Sequence, residues 1–168
     1  GATTTLGRGG ADLTACLVAG ALEASEVVVW TDVRGVFTAS PVLVPEARVV
    51  EKLNYREATE LAYYGIDALH LRSIVPIRRL GTPVRIRSLK DLDCAGTLVT
   101  ARFTASPSPV KGVAAAPGQC LVSVEGSGAE DATSVSSRVL HTLARAGIRV
   151  TMISQSSSEA SICLAVPM

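Results

Sequence analysis

Residues 104–109 read Thr-Ala-Ser-Pro-Ser-Pro, and this segment constrains the fold more than any other. Two prolines and two serines in six residues can sustain neither a helix nor a central strand. The chain of 168 residues therefore divides into a first unit over 1–103, a linker over 104–109 and a second unit over 110–168. Nearly half the residues are apolar, enough for a substantial core in place of wholesale disorder. Aromatic residues are scarce, so that core is built from Ala, Val and Leu.

In the first unit, residues 3–6 read as a short strand, followed by the loop Gly7-Arg8-Gly9-Gly10. Leu13, Leu17, Gly20, Ala21 and Ala24 then recur at helical spacing, with Asp12 a candidate N-cap. Residues 26–30 form a continuous apolar run of strand length, as in a sheet covered on both faces. After a polar loop with Gly35 and Pro41, helical patterns cover about 55–64 and 67–80. Residues 83–87 and 97–100 read as strands. In the second unit the order is strand 120–125, a helix through Val135, Val139, Leu143 and Ala146 ending at Gly147, then strands 148–153 and 161–166. Strand, helix, strand, strand predicts a small sheet with a helix on one face, its edges left for something else to cover.

Charge and composition exclude several functions. A net charge of +1 with few aromatics gives no basis for binding nucleic acid. No apolar run reaches the length of a membrane helix, and no signal peptide is visible. Cys16, Cys94, Cys120 and Cys163 are too far apart in sequence for a zinc knuckle or a redox pair, and read as buried thiols of a reducing compartment. With only His70 and His141 besides, no metal site is expected.

Three polar segments can carry chemistry. Gly7–Gly10 lies between a strand and a helix, where backbone N–H groups and the helix N-terminus favour an anion. Arg8 can clamp a carboxylate or phosphate, while Asp12 can cap the helix, hold an ammonium or orient a neighbour; a purely structural turn is the alternative. Residues 31–37 follow a buried strand, a position where α/β proteins bind ligands, and can hold a nucleoside or serve only as a turn. Residues 153–159 offer polar side chains for the ammonium and carboxylate of a small amino acid, or form a solvated hairpin loop.

The strings LGRGGAD, VWTDVRGVF, VPEAR, ATELAYYGIDALH and MISQSSSEASICLAVP stand here in an order and spacing that resemble the aspartokinases. The tail is most similar to the bifunctional aspartokinase–homoserine dehydrogenase type. The resemblance implies an α/β fold: the C-terminal half of an amino-acid-kinase α/β/α sandwich, followed by a partial ACT unit of βαββ, ferredoxin-like topology. It implies a phosphotransferase acting on the side-chain carboxylate of L-aspartate with ATP and Mg2+ as substrate complex and no tightly bound cofactor. Lysine, threonine and methionine biosynthesis is the implied context. By position, Arg8, Gly9, Gly10 and Asp12 would bind aspartate, and Thr31, Asp32, Gly35 and Phe37 the nucleotide. Ser127, Ser154, Gln155 and Ser156 would bind an effector, threonine or lysine. Partners would be the remainder of an aspartokinase chain and further copies through paired ACT units, in the cytoplasm or a plastid stroma.

Departures from the family pattern lie close to these residues. Ala11 stands where the family usually has Ser, Phe37 where it has Tyr, and Ser40-Pro41-Val42 where it has Asp-Pro-Arg. The usual lysine of the later glycine motif is Asp67, and Ala129-Glu130-Asp131 depart after the matching Gly126-Ser127-Gly128. Losing cations works against phosphoryl transfer, which depends on neutralising developing charge. The chain opens on Gly1 without Met and lacks the family's amino-terminal Lys-Phe-Gly-Gly-Thr motif. An inactive excised piece of an active enzyme is therefore expected, with a degenerate amino-acid-sensing or structural subunit as the alternative.

Overall fold

The computed structural model describes residues 2, 4–7, 9–64, 71–103, 105, 108–125, 131–156 and 161–168. It has two compact units, Gly1–Ala115 and Ala116–Met168. The first contains α1 (Gly10–Ala21), β1 (Val27–Thr31), β2 (Lys52–Asn54), α2 (Tyr55–Tyr63), α3 (Leu71–Leu80), β3 (Val84–Ser88) and β4 (Thr97–Thr100). Its sheet runs β1-β3-β4-β2. β1 and β3 are parallel in the register Val27↔Val84 to Thr31↔Ser88. β4 pairs antiparallel with β3 and parallel with β2.

The core of this unit is aliphatic, as its composition predicts. Val27, Val29, Val84, Ile86 and Val99 of the sheet are buried with Ile74 and Ile77 of α3 and Cys16 and Ala19 of α1. Gly20 of α1 faces the end of α3, where a Cβ would meet only the tip of the exposed Leu80 side chain. Burial in β1 alternates instead of being continuous: Val27 and Val29 point inward, whereas Val28 and Trp30 are about half exposed. The expectation of a strand covered on both faces is corrected accordingly. Only one face of β1 meets the core, and Arg87 stacks over Trp30 on the other at 5.1 Å.

Residues 4–6 are not strand, and β2 was not anticipated. At three residues β2 is too short to show a period, but it delivers Asn54 as the cap of α2. Asn54 accepts from the Glu57 N–H at 2.9 Å while Glu57 accepts from the Asn54 N–H at 2.8 Å, a capping box. The compact unit also continues beyond 104–109. Lys111 pairs with Glu57 at 2.9 Å, and the Val113 N–H donates to the Thr38 carbonyl at 2.8 Å. These contacts hold the chain to the first unit past the prolines.

The second unit contains β5 (Gln119–Glu125), α4 (Ala132–Arg145), β6 (Met152–Gln155) and β7 (Ser161–Pro167), in the expected order strand, helix, strand, strand. The sheet is antiparallel, in the order β5-β7-β6. Ile162 and Leu164 of the central strand are fully buried, with Val135 of α4. Asp131 caps α4 by accepting from the Ser134 N–H, and Gly147, at φ 69°, ends it as expected. The strand anticipated at 148–153 begins only at Met152. Ile148 is held by its N–H to the Leu143 carbonyl, so the end of α4 absorbs that stretch.

Candidate functional site

The glycine loop leads into α1 through two left-handed residues, Gly7 (φ 75°) and Gly9 (φ 74°). A side chain at either position would be strained. The Gly10 N–H closes the turn onto the Gly7 carbonyl at 3.1 Å. Gly9 is the N-cap and supplies no side chain, so Asp12 is not the cap it was expected to be. Asp12 lies in the first turn of α1, where a carboxylate complements the helix dipole. It also acts on Cys16 one turn on: burial, and secondarily the Asp12 charge, push that thiol up to about 11. Arg8 lies outside the described residues.

Gly7 and Gly10 border a groove of about 840 Å3 that follows α1 past Ala11, Ala15 and Val18. Its walls are mainly apolar, and at position 11 a methyl group replaces the hydroxyl that the family resemblance leads one to expect. Thr31, Asp32, Gly35 and Phe37 do not line it.

The turn after β1 is a built structure in its own right. Thr31 Oγ1 donates to Asp32 Oδ1 at 3.2 Å, and the Thr31 carbonyl accepts from the Leu89 N–H at 2.8 Å. Arg34 Nε meets Asp91 Oδ2 at 2.9 Å, and Asp91 also accepts from the Cys94 N–H. Gly35 has φ 147°, and a Cβ there would lie 2.5 Å from Thr97 Oγ1. The Val36 N–H donates to that same hydroxyl oxygen at 2.8 Å, and the hydroxyl faces the Val36 carbonyl at 3.5 Å. Phe37 forms an isolated bridge with Val49. Sequence reasoning missed Thr97 and Asp91. Each is over fifty residues from the turn, and neither sits in a motif. Val42, in place of the family's arginine, projects into solvent at 90% exposure, while Asp67 and His70 lie outside the described residues.

In the second unit Ser154 and Gln155 are exposed on β6, opposite Cys163 and Ile162. Adjacent strand residues point to opposite faces, so these two do not form one side-chain cluster. The Ser156 N–H donates to the Ser161 carbonyl at 3.3 Å. Ser127 and residues 157–159 lie outside the described residues. Of the four cysteines only Cys16 is buried, which corrects the expectation of four buried thiols; Cys120 is exposed. Among the described residues no helix is long and apolar enough to cross a membrane.

Residues 1–88 match the model of the amino acid kinase family. The chain belongs to that family. Residues 122–168 of this member of the amino acid kinase family match an ACT domain, in agreement with the βαββ topology of the second unit. It is 37% identical, over 98% of its length, to bifunctional aspartokinase/homoserine dehydrogenase 1, chloroplastic, of Arabidopsis thaliana, and spans 19% of that relative. Among solved structures it superposes on E. coli aspartokinase III in complex with aspartate and ADP, described as the R-state. The TM-score is 0.83 at 37% identity, covering all of this chain and 37% of that one. Against the same enzyme with lysine and aspartate, described as the T-state, the TM-score is 0.74 at 35% identity, covering 99% of this chain and 37% of that one. The anticipated fold, an amino-acid-kinase half followed by an ACT unit, agrees with these matches.

Proposed function

We propose that this chain is the nucleotide-holding segment of an aspartokinase that transfers the γ-phosphoryl group of Mg-ATP to the side-chain carboxylate of L-aspartate, giving 4-phospho-L-aspartate. The observation that carries this reading is the superposition of the whole chain on an aspartokinase in complex with aspartate and ADP. In this reading Thr31, Asp32, Gly35 and Phe37 line the nucleotide site, and the loop 7–10 with Asp12 receives the aspartate carboxylate at the start of α1. Mg2+ arrives with the phosphates as part of the substrate. The ACT unit binds an effector amino acid, lysine or threonine, near β6 and pairs with another copy, and the enzyme works in the cytoplasm or a plastid stroma.

The chain spans about a fifth of the curated relatives it first matches, so the segment alone is expected to bind nucleotide without turning over. The test is isothermal titration of residues 1–168 with ADP, alongside a phosphoryl-transfer assay with ATP and aspartate. Saturable ADP binding without turnover is expected; no binding at millimolar ADP would rule the reading out. A second reading, a degenerate amino-acid sensor, is favoured by the missing hydroxyl at Ala11 and the missing cation at Val42. Binding of threonine or lysine with no response to ADP would select it.

A further inference from the structure

We infer that Thr97 is a positioning residue for the nucleotide turn, acting from β4 through a single buried hydroxyl. This rests on the assignment of residues 31–37 to the nucleotide. Thr97 opens β4 and is fully buried. Its Oγ1 accepts from the Val36 N–H at 2.8 Å and faces the Val36 carbonyl at 3.5 Å. Both backbone polar groups of Val36 are thus engaged by residues from outside the turn, since its carbonyl also accepts from the Val50 N–H at 2.8 Å.

The adjoining position leaves no room for an alternative. Gly35 adopts φ 147°, and a Cβ there would press on the Thr97 hydroxyl and the Thr97 backbone nitrogen. Glycine is the residue that permits this close approach, and threonine supplies the atom approached. Val36 is itself buried, so without the hydroxyl its N–H would lose its partner in a dry setting. Two outer ties converge on the same turn. Leu89, just after β3, donates to the Thr31 carbonyl, and Asp91 grips Arg34. These ties are at the solvent boundary, whereas Thr97 is the interior one. β4, a strand that contributes nothing to the residues expected to touch nucleotide, therefore supplies a fully buried side-chain tie to the turn.

The position is open to direct measurement because the chain has a single tryptophan, Trp30, next to Thr31 and 45% exposed. ADP is titrated into residues 1–168 as wild type, Thr97→Val and Thr97→Ser, with Trp30 fluorescence and calorimetry as readouts and hydrogen exchange at the Val36 amide in parallel. Thr97→Val keeps the shape and removes the hydroxyl. It is expected to weaken ADP about tenfold or more, the loss for one buried hydrogen bond, and to speed Val36 exchange. Thr97→Ser is expected to restore both to within about threefold of wild type.

A purely structural role would lower the melting temperature of Thr97→Val while leaving its ADP affinity below the transition within about twofold of wild type. That result overturns the inference. If Thr97→Val does not fold, Thr97→Ala removes the same hydroxyl with less bulk, and unchanged ADP affinity in that variant overturns the inference equally. Absence of ADP binding by the wild type would remove the nucleotide assignment and the inference with it. The Val36 exchange rates tell that failure from a failure of the hydrogen bond, because slow exchange in wild type and fast exchange in Thr97→Val report the pinned turn without any nucleotide.

Discussion

Cys16 is fully buried on α1, four residues after Asp12 and in the electrostatic neighbourhood of Tyr55. Its thiol is raised from 9.0 to about 11, by burial first and by the Asp12 charge second. Tyr55 is raised for the same leading reason, with its hydroxyl donating to the Thr82 carbonyl at 2.6 Å. Above pH 9 the unfolded chain releases the Cys16 proton while the folded chain keeps it. Stability from this group is thus fully present below pH 9 and is lost as pH rises toward 11. Two pK units correspond to about 3 kcal/mol. Urea unfolding at about pH 8 and about pH 11 should accordingly show Cys16→Ala losing less stability than wild type across that interval, by on the order of 2 kcal/mol. Equal losses would disprove the coupling. The sequence showed Cys16 and Asp12 as separate residues, a thiol and a candidate cap. It could not show that a glycine would take the cap, leaving the carboxylate to act on the thiol one turn away. Thr97 was hidden more deeply, because its role depends on a contact 61 residues away in the chain.

Elements with a strong local signature were legible. The helix α2, the strands β3 and β4, and the glycine stop after α4 all stand close to where periodicity and turn chemistry put them. Misreadings fell where a tertiary partner decides. The run read as apolar over 26–30 opens on Glu26, which lies before β1 and pairs with Arg85 of the neighbouring strand at 2.9 Å. Residues 148–151 carry strand-like residue types, yet the cap of α4 claims their start. Gly96 shows what such geometry demands. It has φ 72°, and a Cβ there would drive into the Ile86 carbonyl oxygen across the β3–β4 pair. Gly96→Ala should lower stability by about 1–3 kcal/mol, the range for a strained backbone position, read as a shifted urea midpoint with unchanged slope.

For the molecule as a whole, the proline–serine segment reads as the boundary between two parts, whereas the compact first unit runs on to Ala115. The reason is a pair of long-range ties, Lys111 to Glu57 and Val113 to Thr38, that no reading of composition supplies. The sheet order carries a further implication, for the time course of its assembly. In β1-β3-β4-β2 the two central strands are near neighbours in sequence, whereas each outer strand must return from more than forty residues away. Closing short loops is entropically cheaper than closing long ones. The hairpin of β3 and β4 should therefore form first and template both flanks. Ile86→Ala and Leu53→Ala should each cost about 2–5 kcal/mol. Stopped-flow kinetics should show the first mainly slowing refolding and the second mainly hastening unfolding, so that the sheet grows from its middle outward.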